Sequence, residues 1–146
     1  MNYSKALNEC IESAYMVAGH FGAHYLESWH LLIAMSNHSY SVAGATLNDY
    51  PYEMDRLEEV ALELTETDYS QDETFTELPF SHRLEVLFAE AEYVASVVHA
   101  KVLGTEHVLY AILHDGNALA TRILERAGFS YEDQKDQVRI AALRRN

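Results

Sequence analysis

The sequence contains little cysteine and little positive charge. Its single cysteine, Cys10, cannot form a disulfide within the chain, and its place in an apolar helical period predicts a small core residue. Ten lysines and arginines stand against 23 aspartates and glutamates, which gives a formal net charge of −13. This charge repels nucleic acid and anionic lipid, so we exclude both as general partners and expect basic ones. The alternative is that the charge only keeps the protein in solution.

Several kinds of segment are also missing. No apolar run approaches the roughly 20 residues that span a bilayer, and the start, Met1 to Lys5, lacks the basic and apolar parts of a secretory signal. We therefore expect a cytoplasmic protein. The sequence has neither a glycine-rich phosphate loop ending in Lys-Ser/Thr nor a Gly-x-Ser-x-Gly nucleophile elbow. These absences predict a chain without catalytic residues and without a cofactor of its own.

The eight histidines raise the question of a metal site. His20 and His24 are four residues apart, with Glu27 nearby. A helix would place both imidazoles on one face, but Gly22 between them is expected to end that helix. We therefore predict no metal site.

The chain repeats itself at a spacing of 77 residues. Ser4–Leu7 corresponds to Ser81–Leu84, and Leu26–Leu32 corresponds to Leu103–Leu109. A repeat without gaps indicates one structural unit used twice, so any site in one copy can be compared with the other. Identical residues at this spacing include the pairs Leu7/Leu84, Ala14/Ala91, Val17/Val94, Ala18/Ala95, Leu32/Leu109 and Leu47/Leu124.

Two neighbouring positions near the start of the second helix of each copy differ in whether the copies match. His30 and His107 are identical and follow the start closely, which predicts buried, hydrogen-bonded structural histidines. One position earlier, the first copy has Trp29 where the second has Glu106. The copies therefore differ in charge at this matched position.

Apolar residues recur at steps of three and four along both copies, which predicts an all-α fold. Four residues are placed as helix N-caps, Ser4, Ser28, Ser81 and Thr105, and Gly128 is placed as the residue that ends a helix. The predicted helices cover about 4–21, 28–35, 42–49 and 54–64 in the first copy, and about 81–98, 105–113, 118–126 and 131–143 in the second.

The whole chain, 1–146, is predicted to be one domain of eight helices, built as two four-helix repeats. The first repeat covers 1–64 and the second 79–146, and the polar, acidic stretch 65–78 reads as a linker. Each unit is too small to bury its apolar faces alone, so the two are expected to pack face to face.

Ser81 and Glu106 are the candidate site of the second repeat. Ser81 caps the first helix, whose N-terminus attracts an anion, whereas Glu106 near the start of the second helix suits a guanidinium. Side by side, they would bind a ligand with both charges, such as phosphorylated arginine. The simpler interpretation, which spacing alone favours, is that Ser81 is an ordinary cap and Glu106 interacts only with its own helix dipole.

The second repeat resembles a known family. Ser81-x-Arg83, Ala91-x-x-x-Ala95 and the segment Leu103–Leu113, which reads Leu-Gly-Thr-Glu-His-Val-Leu-Tyr-Ala-Ile-Leu, are similar to the repeat of the Clp N-terminal domain, found at the front of Clp AAA+ unfoldases. The similarity covers nearly the whole chain except the linker. The start, Tyr3–Leu7, most resembles the ClpC type of Gram-positive bacteria, with a streptococcal origin as our expectation.

The resemblance implies an eight-helix, pseudo-twofold docking domain without activity of its own. Such a domain recruits an adaptor of the MecA type and substrate proteins, including arginine-phosphorylated ones, and delivers them to the AAA+ ring of its full-length chain and on to a ClpP-type protease. ATP would bind in the AAA+ domains, outside this sequence. The alternative is a stand-alone scaffold or regulator built from the same repeat.

The resemblance also implies one phosphoarginine site in each repeat, made by a hydroxyl residue at the first helix start and the Glu of Gly-Thr-Glu-His. The second repeat keeps Ser81 and Glu106, so we assign the site there. The first repeat keeps Ser4 but has Trp29 in place of the glutamate, and tryptophan lacks the two acceptor atoms that bind a guanidinium. Ser4 and Trp29 are therefore predicted to form a degenerate counterpart.

Overall fold

Two successive runs of four helices make up the fold. The computed structural model describes residues 1–67 and 74–144. In the first run are α1 (Lys5–His20), α2 (Ser28–Asn37), α3 (Val42–Asn48) and α4 (Leu57–Thr65), the last preceded by a 3₁₀ turn at Met54–Arg56. In the second run are α5 (His82–Val97), α6 (Thr105–Ile112), α7 (Leu119–Arg126) and α8 (Tyr131–Arg144). The predicted all-α architecture of eight helices is confirmed.

Serine hydroxyls begin three of these helices. The Oγ atoms of Ser4 and Ser81 accept hydrogen bonds from the main-chain N–H groups of Leu7 and Leu84, each at 3.1 Å. In the same way Ser41 Oγ accepts from Gly44 N at 3.0 Å. A capping hydroxyl satisfies an N–H group that has no partner within the helix. The predicted caps Ser4 and Ser81 are confirmed.

Two other predicted caps are wrong. The N-caps of α2 and α6 are Glu27 and Gly104, and the predicted Ser28 and Thr105 are the first helical residues. The reason lies three residues further on, where the Nδ1 atoms of His30 and His107 accept from the N–H groups of Glu27 and Gly104, both at 2.9 Å. An imidazole thus fixes each helix start, and no hydroxyl is needed at that place.

The two runs pack through pairs of contacts that a pseudo-twofold axis exchanges. Helix α2 packs on α7 as α6 packs on α3, and α3 packs on α8 as α4 packs on α7. α2 and α6 also touch each other and are buried along most of their length. The centre of the protein is therefore the interface between the repeats, as the face-to-face arrangement required.

One hydroxyl side chain crosses this interface. Thr105 Oγ1, at the start of α6, accepts a hydrogen bond from Ala43 N in the first turn of α3, at 3.1 Å. The hydroxyl predicted to cap α6 therefore serves a helix of the other repeat. This contact joins the two runs by a specific hydrogen bond in addition to apolar packing.

The predicted core is largely confirmed. Cys10 is fully buried, and burial raises the pKa of its thiol to about 11. Val98, the last residue of the predicted helix 81–98, is an exception, because it follows α5 and is exposed. Gly128, with φ of 102°, follows α7 as predicted. The predicted linker includes residues 68–73, which lie outside the described residues.

Among helices of the described segments, none combines the length and apolar character that crossing a bilayer demands.

Candidate functional site

At the starts of α1 and α5, a main-chain segment of each repeat pairs with a segment of the other repeat, and we call this pairing the exchange. Tyr3 forms a parallel β-bridge with Leu103, and Phe80 forms the matching bridge with Leu26. Next to these bridges, Ser4 N donates to the carbonyl oxygen of Leu103 at 2.8 Å. Each first helix of a repeat therefore starts beside the loop that precedes the second helix of the other repeat.

This exchange corrects the predicted grouping of the site residues. Ser81 and Glu106 were expected together, but Ser81 N donates to the carbonyl oxygen of Leu26 at 3.0 Å, which places Ser81 near the start of α2. Glu106 instead lines a cleft together with Ser4. The hydroxyl and the carboxylate that share a cleft thus come from different repeats.

The Glu106 cleft has a volume of about 300 Å³. Glu106 is 5% exposed. Its carboxylate folds back over the preceding loop and lies so close to Gly104 that a Cβ atom there would be 2.0 Å from Oε1. Lys101 from the same loop supplies a positive charge in the cleft. Its lining residues include Ser4, Ala6, Tyr40, Val42, Lys101, Gly104 and Glu106.

This geometry offers two kinds of partner to one ligand. Glu106 presents a carboxylate, which prefers a cation and can accept two hydrogen bonds from a planar guanidinium. Ser4 begins α1, where the first main-chain N–H groups have no partner within the helix and attract an anion. With Lys101 nearby, the cleft can accommodate opposite charges at separate places.

The Trp29 cleft is the pseudo-twofold counterpart and has a volume of about 690 Å³. Its residues Glu27, Ser28, Trp29 and Arg83 lie 77 positions from Gly104, Thr105, Glu106 and Ala6 of the first cleft. Trp29 in place of Glu106 removes one carboxylate and Glu27 in place of Gly104 supplies another, while Arg83 in place of Ala6 adds a cation. The two clefts therefore have related backbones and different chemistry.

Aromatic packing holds Trp29 in place. Its ring meets that of Phe21 edge to face at 4.6 Å between centroids and lies 3.9 Å from the ring of His30. Only 8% of Trp29 is exposed. Trp29 is thus mainly a packing residue at the back of its cleft.

His30 and His107 have the structural role that the repeat predicted. Both are buried, and burial lowers the pKa of His30 to about 3. Burial also lowers the pKa of His107, although the charge of Glu106 acts in the opposite direction. Because Nδ1 of each ring accepts a hydrogen bond, each imidazole is neutral, with its proton on Nε2.

His20 and His24 do not share a helix face. Helix α1 ends at His20, and Gly22, with φ of 58°, follows in a left-handed conformation. His20 Nδ1 is hydrogen-bonded to the carboxylate of Glu58 in the first turn of α4. Within residues 1–67 and 74–144, no three His, Cys, Asp or Glu residues are grouped so that they could hold a metal ion.

An apolar groove along α5 was missed by the sequence reasoning. This α5 groove has a volume of about 670 Å³ and lies between α5, α6 and α8. A second apolar stripe on α5, at steps of three and four beside the core stripe, is the sequence signal that could have found it. The α5 groove is lined by Val86, Ala89, Glu90, Tyr93, Val94, Val97, Val98, Tyr110, Ala111, His114, Arg139 and Leu143.

The α5 groove presents large apolar side chains to solvent. Tyr93 is 71% exposed and Val97 is 57% exposed. Grooves lined mainly by apolar and aromatic side chains are preferred sites for ligands and for segments of other proteins. The α5 groove and the Trp29 cleft have four lining residues in common, so together they form one continuous depression. The shared residues are Val86, Glu90, Ala111 and His114.

Comparison with known proteins relates the chain to one family. Residues 2–141 match the family described as the Clp repeat (R) N-terminal domain. The N-terminal domain of the caseinolytic protease associated chaperone ClpD from Arabidopsis thaliana has a similar structure, with a TM-score of 0.76 and 20% sequence identity over 99% of this chain and 94% of that one.

Two further solved structures share the fold. The Hsp104 N-terminal domain from Candida albicans gives a TM-score of 0.72 at 18% identity, covering 99% of this chain and 91% of that one. A chain from structural work on a malarial protein secretion system gives a TM-score of 0.74 at 22% identity, covering 99% of this chain and 94% of that one.

Proposed function

Because this chain belongs to the Clp repeat N-terminal domain family, we propose that it docks segments of other proteins for a Clp-type AAA+ unfoldase. The single observation that carries this proposal is the α5 groove. An extended or helical segment with apolar side chains would cover the exposed faces of Tyr93 and Val97. Burial of such side chains contributes about 1.5–3 kcal/mol each.

The docked segments would come from two kinds of partner. Substrate proteins would supply the docked segments directly, or an adaptor of the MecA type would occupy the domain on their behalf. The net charge of −13 supports partners with basic surfaces, because complementary charge speeds encounter. Unfolding would take place in AAA+ rings, which bind ATP, and the product would pass to a ClpP-type protease.

The Glu106 cleft is the proposed place for an arginine-phosphorylated substrate. The guanidinium end of phosphoarginine would bind Glu106, and its phosphate would bind near the N-terminus of α1 and Lys101. Ser4, rather than the predicted Ser81, belongs to this site because it lines the same cleft. The Trp29 cleft lacks a carboxylate at the matched position, so we assign it no such role.

A binding measurement tests the docking function. Val97→Asp places a charge in the α5 groove, and we expect it to weaken binding of fluorescein-labelled casein, an unstructured substrate, by about tenfold or more. Met16→Asp is the matched control, because Met16 is also an exposed apolar residue but lies on α1. Fluorescence polarisation measures both affinities. Equal affinities of the two variants would contradict docking in the α5 groove.

A further inference from the structure

Arg139 places a positive charge in the otherwise largely apolar α5 groove. Its guanidinium carbon lies 4.1 Å from the centroid of the Tyr110 ring, and both residues line the groove. The Arg139 side chain is 17% exposed, so packing on Tyr110 largely fixes the position of the guanidinium. The exposed part faces a surface that a docked segment would cover.

The hydrogen-bonding capacity of Arg139 is only partly used. Its Nη1 atom lies 3.5 Å from Oδ1 of Asp136, whose side chain is 74% exposed, and its Nη2 atom lies 3.4 Å from Nδ1 of His114. Both distances are long for charge-assisted hydrogen bonds, which usually measure about 2.7–2.9 Å. Within the described part of the chain, the buried Nε atom has no hydrogen-bond partner.

From this geometry we infer that the α5 groove selects apolar segments that carry one acidic side chain, which Arg139 binds. The inference rests on the proposed docking function and adds a substrate preference to it. A carboxylate has the two acceptor atoms that match the planar fork of a guanidinium. Covering the groove removes water from this pair and strengthens the attraction.

The shape of the depression indicates that the carboxylate belongs to a side chain within the bound segment, which continues past Arg139 on both sides. Arg139 packs on Tyr110 of α6, and the depression continues past it in two directions. Toward the start of α5 it joins the Trp29 cleft at Val86, and toward the end of α5 it reaches Val97 and Val98. A bound segment therefore runs across the guanidinium, and one of its side chains points to Arg139.

Two labelled peptides test this preference. Both have the sequence Ser-Leu-Leu-x-Leu-Leu-Lys-Ser with a fluorescein label, and x is glutamate in one and glutamine in the other. At low salt, we expect the unmodified domain to bind the glutamate peptide about fivefold to tenfold more tightly, as measured by fluorescence polarisation. Arg139→Gln should remove this difference by weakening the binding of the glutamate peptide.

Arg126→Gln is the matched control. It removes the same charge from an exposed position on α7, outside the α5 groove, and should keep the preference for the glutamate peptide. Val97→Asp should weaken both peptides. If both peptides bind the unmodified domain equally and Val97→Asp weakens them, docking holds and the inference about Arg139 is wrong. If neither peptide binds, both the docking function and the inference fail.

A second measurement needs no variant, in case Arg139→Gln does not fold. In an NMR titration of the ¹⁵N-labelled domain, the Nε–Hε signal of Arg139, assigned through its own side-chain carbons, should move with the glutamate peptide. It should move much less with the glutamine peptide. Equal movement with both peptides would overturn the inference.

Discussion

The main-chain nitrogen of Ser4 donates a hydrogen bond to the carbonyl oxygen of Leu103 at 2.8 Å. This bond joins the start of the first helix in one repeat to the loop before the second helix in the other. The same bond occurs once more, from Ser81 to Leu26, at 3.0 Å. Because of this exchange, a carboxylate of the second repeat shares a cleft with a serine of the first.

The exchange predicts unequal effects of two similar substitutions on phosphoarginine binding. Ser4 and Ser81 cap α1 and α5 with identical hydrogen bonds, so Ser4→Ala and Ser81→Ala should each cost about 1 kcal/mol of unfolding free energy. Only Ser4→Ala should also weaken binding of free phosphoarginine, because Ser4 lies in the Glu106 cleft. Calorimetric titration checks affinity and stoichiometry, which we expect to be one site per domain.

Glu106→Gln provides the stronger test of the same site. Loss of the charge should lower the affinity for phosphoarginine about tenfold or more, because a hydrogen bond to a charged group contributes roughly 1.5–3 kcal/mol. Glu85→Gln on α5 removes the same charge from an exposed position and should have little effect. Two equivalent sites, or a loss with Ser81→Ala as large as with Ser4→Ala, would contradict the assignment.

The second prediction concerns the position of the Glu106 carboxylate over Gly104. Gly104→Ala introduces a Cβ atom 2.0 Å from the present place of Oε1, so the carboxylate must move. We expect a several-fold loss of phosphoarginine affinity in a domain that remains folded, because the atom that must yield is the end of a flexible side chain. Calorimetry and far-ultraviolet circular dichroism measure the two properties.

A double-mutant cycle of unfolding free energies tests whether the methyl group of Gly104→Ala acts on Glu106. In a Glu106→Ala background the methyl group of Gly104→Ala meets no carboxylate, and the additional change should have almost no effect on stability. An equal stability cost of Gly104→Ala in both backgrounds would show that the glycine is needed for some other reason.

The third prediction is a pH dependence that arises from His30. Burial lowers the pKa of His30 to about 3, whereas a histidine in the unfolded chain has a pKa of about 6.5. The unfolded state therefore binds the extra proton between these values, and stability decreases as the pH falls through this range. From about pH 7.5 to pH 5.5, His30 alone should lower the unfolding free energy by about 1.4 kcal/mol. His107 acts in the same direction.

Urea unfolding at both pH values checks this prediction. His30→Gln should reduce the pH dependence, and His24→Gln, at an exposed position, should leave it nearly unchanged. If the unmodified protein and His30→Gln lose the same unfolding free energy on acidification, the buried imidazole is not the source of the pH dependence.

The fourth prediction is that the two repeats fold as one unit. A fragment that ends at Leu64 keeps α1 to α3 and nearly all of α4 but loses α6, α7 and α8, which cover α2, α3 and α4. Its exposed apolar faces should leave it aggregated or without fixed packing. The ¹H–¹⁵N NMR spectrum of the fragment should then have poor dispersion and the whole chain a well-dispersed one. A dispersed spectrum from the fragment would contradict a shared core.

The repeat and the helix pattern could be predicted from the sequence because both depend on local spacing. The offset of 77 residues carries Lys5–His20 onto His82–Val97, the bounds of α1 and α5 in the structure. Ser4 and Ser81 were identified as caps because a cap acts within one turn of its own helix. The wrong assignment of Ser28 and Thr105 as caps also has a local cause. The imidazole three residues after each true N-cap accepts a hydrogen bond from it, which the usual cap preferences do not include.

The amino-acid pattern was therefore enough to predict the helical repeat, most of the core, and the loss of a carboxylate at Trp29. The fold was needed to show that Glu106 shares a cleft with Ser4, that Thr105 hydrogen-bonds to α3, and that Arg139 lies on Tyr110 in a groove. Two similar units with the same local pattern can pair their segments either within a repeat or between repeats. The choice depends on hydrogen bonds and packing between residues distant in the chain, and no local spacing records those.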